Sequence, residues 1–168
     1  MPKVTCVDIE GNKYEVDSEQ LTWRPSAYGI VFNKESVLLS PQFEEGRYDL
    51  PGGGLDFGEL PNEAVIREVK EETGLVVNRP KLIACESNFF KFRRLKDVYF
   101  QTIMLYYSCK LVGGELSTSG FDEFEKNYAR IAEWVPVKKL SDIKIANSLD
   151  FRPFINEAYK EFHAHTRH

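Results

Sequence analysis

The sequence predicts a mixed α/β sandwich built from a chain of 168 residues. Two observations predict this class: β-prone segments outnumber helical ones, and the two kinds are interleaved along the chain. The composition agrees, since hydrophobic residues make up 42% of the chain and charged residues 29%. That balance is typical of a globular protein, and this length suffices for a sizeable core without disulfides.

The first 22 residues predict a β-hairpin extension. Val4–Ile9 and Lys13–Val16 are β-prone, and Gly11-Asn12 between them suits a tight turn. An isolated two-stranded hairpin is marginal in water, so this one must pack on something. We expect it to extend the sheet of its own chain or to cover a neighbour in a homodimer.

A second strand pair and an interruption follow the hairpin. Ser26–Asn33 and Val37–Ser40 are predicted strands around a turn at Lys34-Glu35, and Pro41–Arg47 is predicted to be a loop. We expect the glycine run at residues 52–54 to interrupt regular structure.

The segment between Pro61 and Gly74 predicts a helix. Proline suits the first turn of a helix and glycine the position after its last residue. Val65, Val69 and Thr73 repeat at i, i+4 and i+8, so we expect them to face the core.

The second half predicts further strands and a closing helix. Gly113-Gly114 is expected to break the chain, and residues 163–168 are expected to be a flexible tail. The predicted strands are Lys81–Cys85, Val98–Lys110 and Ile131–Val135, and the predicted helix is Pro153–Phe162.

Charge and cysteine content exclude several classes. The formal net charge of -4 argues against a nonspecific nucleic-acid or membrane-surface binder. The N-terminus lacks the pattern of a signal peptide, and the longest apolar stretch is too short to span a bilayer. Cys6, Cys85 and Cys109 form no CxxC pair and are predicted to be small buried hydrophobes. We therefore expect a cytoplasmic protein with no membrane partner and no stable nucleic-acid partner.

The predicted helix carries an unusual set of carboxylates. Glu68, Glu71 and Glu72 fall at i, i+3 and i+4 and share one face, where like charges repel. A divalent cation such as Mg²⁺ or Mn²⁺ would resolve this repulsion, because both ions prefer oxygen ligands. The alternative is a solvated acidic face with i, i+4 ion pairs through Arg67.

The spacing around this helix resembles the signature of the Nudix (MutT-like) hydrolases. Gly53 is followed after five residues by Glu59 and after seven more by REVKEETGL, residues 67–75. This matches G-x5-E-x7-R-E-aliphatic-x-E-E-x-G-aliphatic at each position. The preceding YDLPGGGLDFGE and the later Trp134-Val135-Pro136 also resemble the family, so the resemblance spans about residues 23–162.

The resemblance implies an α/β/α sandwich with a mixed β-sheet and a loop–helix–loop Nudix box. It also implies metal-dependent hydrolysis of a diphosphate linked to another group, with Mg²⁺ or Mn²⁺ as cofactor. The family pattern assigns metal binding to Glu68, Glu71, Glu72 and the carbonyl of Gly53. By the same pattern Arg67 orients a glutamate in the catalytic set, and Glu59 and Gly74 have structural roles at the two ends of the helix.

The sequence does not decide which residue is the general base. Glu68 is the candidate within the box, and a loop acid further along the chain is the alternative. The loop candidates, each of which is otherwise a solvated residue, are Glu115, Asp122, Glu123 and Glu125.

Substrate contacts are expected from the segment 88–97, NFFKFRRLKD. Phe89 or Phe90 would stack on a base while cations such as Arg93 meet phosphate. The alternative is a sheet edge protected by Lys and Arg, with both rings packed on the sheet. Arg24 and Tyr48 are further candidate contacts.

The implied substrate is a small-molecule diphosphate, foremost a nucleoside triphosphate or another nucleoside diphosphate derivative. Three alternatives stay open: removal of pyrophosphate from RNA 5′ ends, a nucleotide sensor that does not hydrolyse its ligand, and an isomerase of isoprenoid diphosphates.

Overall fold

A computed structural model describes residues 1–42, 46–123, 125–127 and 129–165 of the chain. It contains ten strands and two α-helices, with short 3₁₀ turns in the connections. The strands are β1 Lys3–Val7, β2 Lys13–Asp17, β3 Leu21–Asn33, β4 Ser36–Pro41, β5 Arg47–Asp49, β6 Gly52–Gly54, β7 Leu75–Lys91, β8 Tyr99–Gly114, β9 Glu133–Pro136 and β10 Lys144–Ile145. The helices are α1 Pro61–Thr73 and α2 Arg152–His165.

The strands form a mixed sheet in which the 13-residue strand β3 is central. The order is β10-β5-β4-β3-β8-β7-β1-β2, with β6 paired to β3 and β9 paired to β4. β3 runs parallel to β8 and antiparallel to β4 and β6, while β7 and β8 form a long antiparallel hairpin.

The two helices cover opposite faces of this sheet. Ala27 and Val31 of β3 pack with Val65 and Val69 of α1 on one face. The neighbouring strand residue Ile30 packs with α2 on the other face. This arrangement confirms the predicted sandwich, and it follows from the alternation of side chains along a strand.

The N-terminal hairpin is continuous with the sheet of its own chain. β1 pairs with β2 and also runs parallel to the end of β7, where Val7 lies opposite Phe90. Cys6 and Val16 pack against Tyr99 in a small separate core, which supplies the burial that an isolated hairpin lacks. A homodimer stays a prediction.

The structure corrects several sequence expectations. The glycine run is strand β6, whose residues pair with Ser26–Tyr28, and β8 continues through Gly113 to Gly114 before it ends. Backbone hydrogen bonding to a neighbouring strand needs no side chain, so glycines can join a sheet edge. Cys85 is exposed rather than buried.

Helix α2 extends through His165, three residues into the predicted tail, and residues 166–168 lie outside the described part of the chain. The part of the predicted loop at residues 43–45 also lies outside it. Neither described α-helix combines the length and the apolar character needed to cross a bilayer.

Candidate active site

Local interactions fix where helix α1 begins and where it ends. At its start the backbone N–H of Leu60 donates to Glu63 Oε2 at 2.9 Å, directly before Pro61. At its end Gly74 has a left-handed φ of +77°, and a Cβ there would lie 2.3 Å from the carbonyl oxygen of Glu115. Only glycine fits such a position, so the helix must stop here and the chain turns into β7.

Arg67 ties the glycine loop to the carboxylates of α1. Its Nε and Nη2 donate to the two carboxylate oxygens of Glu59 at 2.7 and 2.9 Å. Its Nη1 donates to Glu68 Oε1 at 2.9 Å and to Glu71 Oε2 at 3.0 Å. The paired geometry to Glu59 fixes the guanidinium plane, and that plane in turn orients Glu68 and Glu71.

Glu68 and Glu72 lie against the glycine strand β6. The N–H of Gly52 donates to Glu72 Oε2 at 3.0 Å, and a Cβ built on Gly53 would lie 2.7 Å from Glu68 Oε1. Glycine therefore lets the main chain approach the Glu68 carboxylate closely. Burial raises the pKa of Glu68 to about 7, and burial together with the charge of Glu68 raises the pKa of Glu72 well above its ordinary value.

The three helix carboxylates divide between two kinds of partner. Glu72 accepts a hydrogen bond from a backbone N–H of β6, whereas Glu68 and Glu71 both accept from Arg67. In the described part of the chain no three acidic, histidine or cysteine side chains gather around one point as a complete metal cage. The donor set is nevertheless all oxygen and lies beside the backbone of β6, and oxygen ligands are those that Mg²⁺ and Mn²⁺ prefer.

Among the loop acids, the structure brings Glu125 toward this cluster. Its negative charge contributes to the raised pKa of both Glu68 and Glu72, and burial in turn raises the pKa of Glu125 itself. Glu123 instead pairs with Lys126 at 2.5 Å and points to solvent. Of the predicted loop candidates, Glu125 is thus the one whose charge acts on both Glu68 and Glu72.

A cavity runs from the glycine strand across the α2 side of the sheet. One end is lined by Gly52, Gly53 and Glu72, and the other by aromatic and arginine side chains. The residues of β3, β7 and β8 that line it alternate along each strand, so they point to the same face. They are Arg24, Ser26 and Tyr28 of β3, Asn88 and Phe90 of β7, and Phe100, Thr102 and Met104 of β8.

Three predicted contacts lie at this cavity, and two do not. Arg24, Phe90 and Arg93 line it. Phe89 points to the opposite face of β7 and packs in the core below the N-terminal hairpin. Tyr48 packs in the core beside α2, and its hydroxyl donates to Glu133 Oε2 at 3.1 Å. Successive strand residues face opposite ways, so Phe89 and Phe90 cannot both reach one ligand.

The cavity also contains residues that the sequence analysis missed. Asp49 lines it beside Asn147, whose Nδ2 donates to both carboxylate oxygens at 3.3 and 3.4 Å. Burial raises the pKa of Asp49 to about 7 despite the opposing effect of these donors and of Arg94. Phe92, Phe100 and Arg47 line it too. The alternation of residues 88, 90 and 92 would have indicated Phe92, but no strand was predicted over this segment.

Comparisons with known proteins place these features in a family. The model of the NUDIX domain matches residues 22–160, most of the chain. An RNA pyrophosphohydrolase of Ruthia magnifica subsp. Calyptogena magnifica is 27% identical over 130 residues, which cover 69% of this chain and 72% of that protein.

Solved structures share the fold at lower identity. A UDP-X diphosphatase has a TM-score of 0.60 at 18% identity, covering 89% of this chain and 73% of that one. An ADP-ribose pyrophosphatase of Streptococcus suis has a TM-score of 0.59 at 20% identity, covering 83% and 93%. Identities this low establish the fold alone. The family model, the matched spacing and the carboxylate helix together lead to one conclusion: the chain belongs to the Nudix hydrolase family.

Proposed function

We propose that this enzyme hydrolyses a diphosphate bond in a nucleotide, with a divalent cation bound at α1. The observation that carries the proposal is the continuity of the cavity. Glu72 and Gly53 line one end of it, and Phe90 with Arg93 lines the other. A diphosphate at the acidic end would therefore leave its attached group against rings and cations, as a nucleotide requires.

Nudix hydrolases generally use divalent metal ions. Glu68, Glu71, Glu72 and the backbone of Gly53 are the groups that would hold Mg²⁺ or Mn²⁺ here. The bound ion supplies charge neutralisation for the phosphate oxygens and activation of water. The three free cysteines also suit a reducing cytoplasm, which is the location that we propose.

The surrounding groups keep the carboxylates in place. Arg67 holds Glu68 and Glu71 through one guanidinium, and the Gly52 N–H holds Glu72. Such fixed positions matter because hydrolysis of a diphosphate depends on orienting a water and the phosphates, without a protein nucleophile. As the group that accepts the proton of that water we propose Glu68, which lies beside β6, or Glu125, whose charge acts on Glu68.

At the far end, the attached group would stack on Phe90. Its ring lies on β7 opposite Phe100 of β8, with Phe92 within 6.4 Å of it between ring centroids. Planar bases stack on such rings with little dependence on sequence.

RNA carrying a 5′ diphosphate or triphosphate is the second candidate substrate. The observation that favours it is the name of the relative described above, RNA pyrophosphohydrolase, at 27% identity. The net charge of -4 weighs against extended contacts with a nucleic-acid backbone, so we rank this substrate below a small nucleotide.

A screen of diphosphate compounds tests the proposal directly. Purified full-length protein is incubated with nucleoside triphosphates, nucleoside diphosphate sugars, dinucleoside polyphosphates and a triphosphorylated oligonucleotide, each with Mg²⁺ or Mn²⁺. Released phosphate, pyrophosphate or mononucleotide is measured. Turnover of at least one nucleotide that stops with Glu72→Gln supports the proposal. Tight nucleotide binding without turnover would instead favour the sensor hypothesis.

A further inference from the structure

The turn of the N-terminal hairpin reaches the cavity, although this hairpin precedes residues 22–160, which match the NUDIX domain. Residues 8–12 form the turn between β1 and β2. Within it, Ile9 lines the cavity together with Phe90 and Phe92. A segment outside the shared domain therefore supplies part of the cavity wall.

The pairing of β1 with β7 decides which face the hairpin presents. Val7 lies opposite Phe90 in a parallel pair, so both side chains point to the face of the sheet that carries the cavity. The residues before them, Cys6 and Phe89, belong to the small core on the other face. Because the two strands run parallel, the turn that follows β1 continues alongside Phe92 rather than away from it.

A buried carboxylate holds this turn in one conformation. The Oδ1 of Asp8 accepts the backbone N–H groups of Glu10 and Asn12 at 2.9 and 3.0 Å. Its Oδ2 accepts from Asn12 Nδ2 and from the hydroxyl of Tyr14, both at 3.0 Å. Four hydrogen bonds to one carboxylate fix the backbone around Ile9 and so fix its position at the cavity wall.

An ion pair joins this turn to the turn between β7 and β8. Arg93 Nη1 donates to Glu10 Oε1 at 2.6 Å, and Arg93 follows Phe92 in that second turn. Both charged side chains are partly exposed, so the pair adds little to the stability of the fold. Its contribution is geometric, because it keeps the turn that carries Ile9 against the turn that carries Phe92.

In the order of strands, this wall is far from the carboxylates of α1. Four strand spacings separate β6 from β1 in the order β6-β3-β8-β7-β1, which is about 19 Å measured across the sheet. Gly53 of β6 and Ile9 nevertheless line the same cavity. A ligand that contacts both must span the cavity, with different parts of the ligand at the two places.

From these contacts we infer that Ile9 is a specificity-determining residue, which contacts the base of the bound nucleotide. The inference rests on the proposed function, because it takes the group attached to the diphosphate to be a nucleoside in this cavity. Ile9 beside the rings of Phe90 and Phe92 forms an apolar wall, which suits a planar base. The aliphatic side chain offers no hydrogen bond to a phosphate or to a sugar hydroxyl.

Mononucleotides test this contact without any turnover. AMP, GMP, CMP and UMP carry a base and a phosphate but no diphosphate bond, and ribose 5-phosphate lacks the base. Their dissociation constants are measured by calorimetry with the full-length protein and Mg²⁺. If no mononucleotide binds the wild type more tightly than ribose 5-phosphate does, the cavity holds no base and the inference is overturned.

Two variants of Ile9 grade the contact. Ile9→Ala should weaken binding of the best-bound mononucleotide by about 5-fold or more, because alanine removes most of the apolar contact. Ile9→Val keeps most of it and should weaken binding by less than about 2-fold. Neither variant should change the binding of ribose 5-phosphate. Equal mononucleotide affinity for the wild type and Ile9→Ala would overturn the inference.

Val4→Ala is the matched control. Val4 is in the same hairpin but packs against the small core on the other face, so its truncation should leave mononucleotide affinity within about 2-fold of the wild type. Thermal unfolding of both alanine variants is measured alongside. An equal loss of affinity in Val4→Ala and Ile9→Ala would trace the effect to hairpin packing and refute the contact with the base.

Kinetics with ATP, GTP, CTP and UTP separate this inference from the proposed reaction. For the triphosphate that is hydrolysed best, Ile9→Ala should raise KM by about 5-fold or more and change kcat by less than about 2-fold. If no triphosphate is hydrolysed but mononucleotide binding shows the expected losses, the contact with the base stands and hydrolysis of these triphosphates does not. Turnover with the same KM for the wild type and Ile9→Ala would leave the proposed reaction intact and refute the inference.

Discussion

The two ends of the cavity are built in different ways. The acidic end comes from the contiguous segment 52–72, and its carboxylates take partners from that same segment, such as Arg67 and the Gly52 N–H. The rest of the cavity takes its side chains from β3, β4, β5, β7, β8 and the loop before α2. In the function that we propose, the chemistry therefore depends on a short local motif, whereas the choice of substrate depends on how distant strands pack together.

Removal of divalent cations should have the largest effect, and it acts on the acidic end alone. We expect excess chelator to abolish turnover of any substrate, and added Mg²⁺ or Mn²⁺ to restore it. Without the ion nothing neutralises the charge of the phosphate oxygens. Released phosphate or pyrophosphate is the measurement. Full turnover in excess chelator would show that the carboxylates of α1 have no metal-binding role.

Glu72→Gln tests one carboxylate of that end. Glutamine keeps an acceptor for the Gly52 N–H but removes a charge, so we expect turnover to fall by at least about 10²-fold. The fold should persist, since the variant also relieves repulsion from Glu68. Steady-state kinetics and thermal unfolding are measured together, with Glu157→Gln on the exposed face of α2 as control. A near-normal rate would reduce Glu72 to a structural residue.

A pair of neighbouring rings tests the far end. Phe90→Ala should lower kcat/KM for a nucleotide by about 10- to 100-fold, because stacking contributes about 1–3 kcal/mol per base. The way in which the reaction rate depends on the metal concentration should be the same for this variant as for the wild type. Kinetics at several metal concentrations check both expectations.

Phe89→Ala is the matched control for that experiment. Its ring packs against the N-terminal hairpin on the opposite face, so we expect it to lower the free energy of unfolding by about 1–2 kcal/mol. Its kcat/KM should stay near the wild-type value. If both variants behave alike, the far end of the cavity does not contact the substrate.

The last prediction concerns stability rather than turnover and tests Asp49, which lies between the two ends. Burial raises its folded pKa from 3.8 to about 7, so the stability that the protonated carboxyl contributes is present below pH 3.8 and is lost as the pH rises through 7. Asp49→Asn removes this contribution to the free energy of unfolding, which is at most about 4 kcal/mol. Melting temperatures at pH 5 and pH 8 should diverge less for the variant than for the wild type. If the melting temperatures of the two proteins change with pH by the same amount, the Asp49 carboxyl is in contact with water.

The sequence by itself determined the parts that depend on local geometry. Helix α1, its start at Pro61 and its end before Gly74 follow from rules that involve only neighbours along the chain. The common face of Glu68, Glu71 and Glu72 follows from helical periodicity, and the spacing from Gly53 to Leu75 was enough to indicate the family.

Only the tertiary structure decided the part of the cavity beyond the glycine strand. Whether Phe89 or Phe90 faces the cavity depends on which side of β7 is covered, and a shift of one residue in strand pairing would exchange them. Asp49 and Asn147 meet across 98 residues of sequence. Such contacts arise from strand register and loop packing, and no local pattern encodes them because their partners are set by the whole sheet.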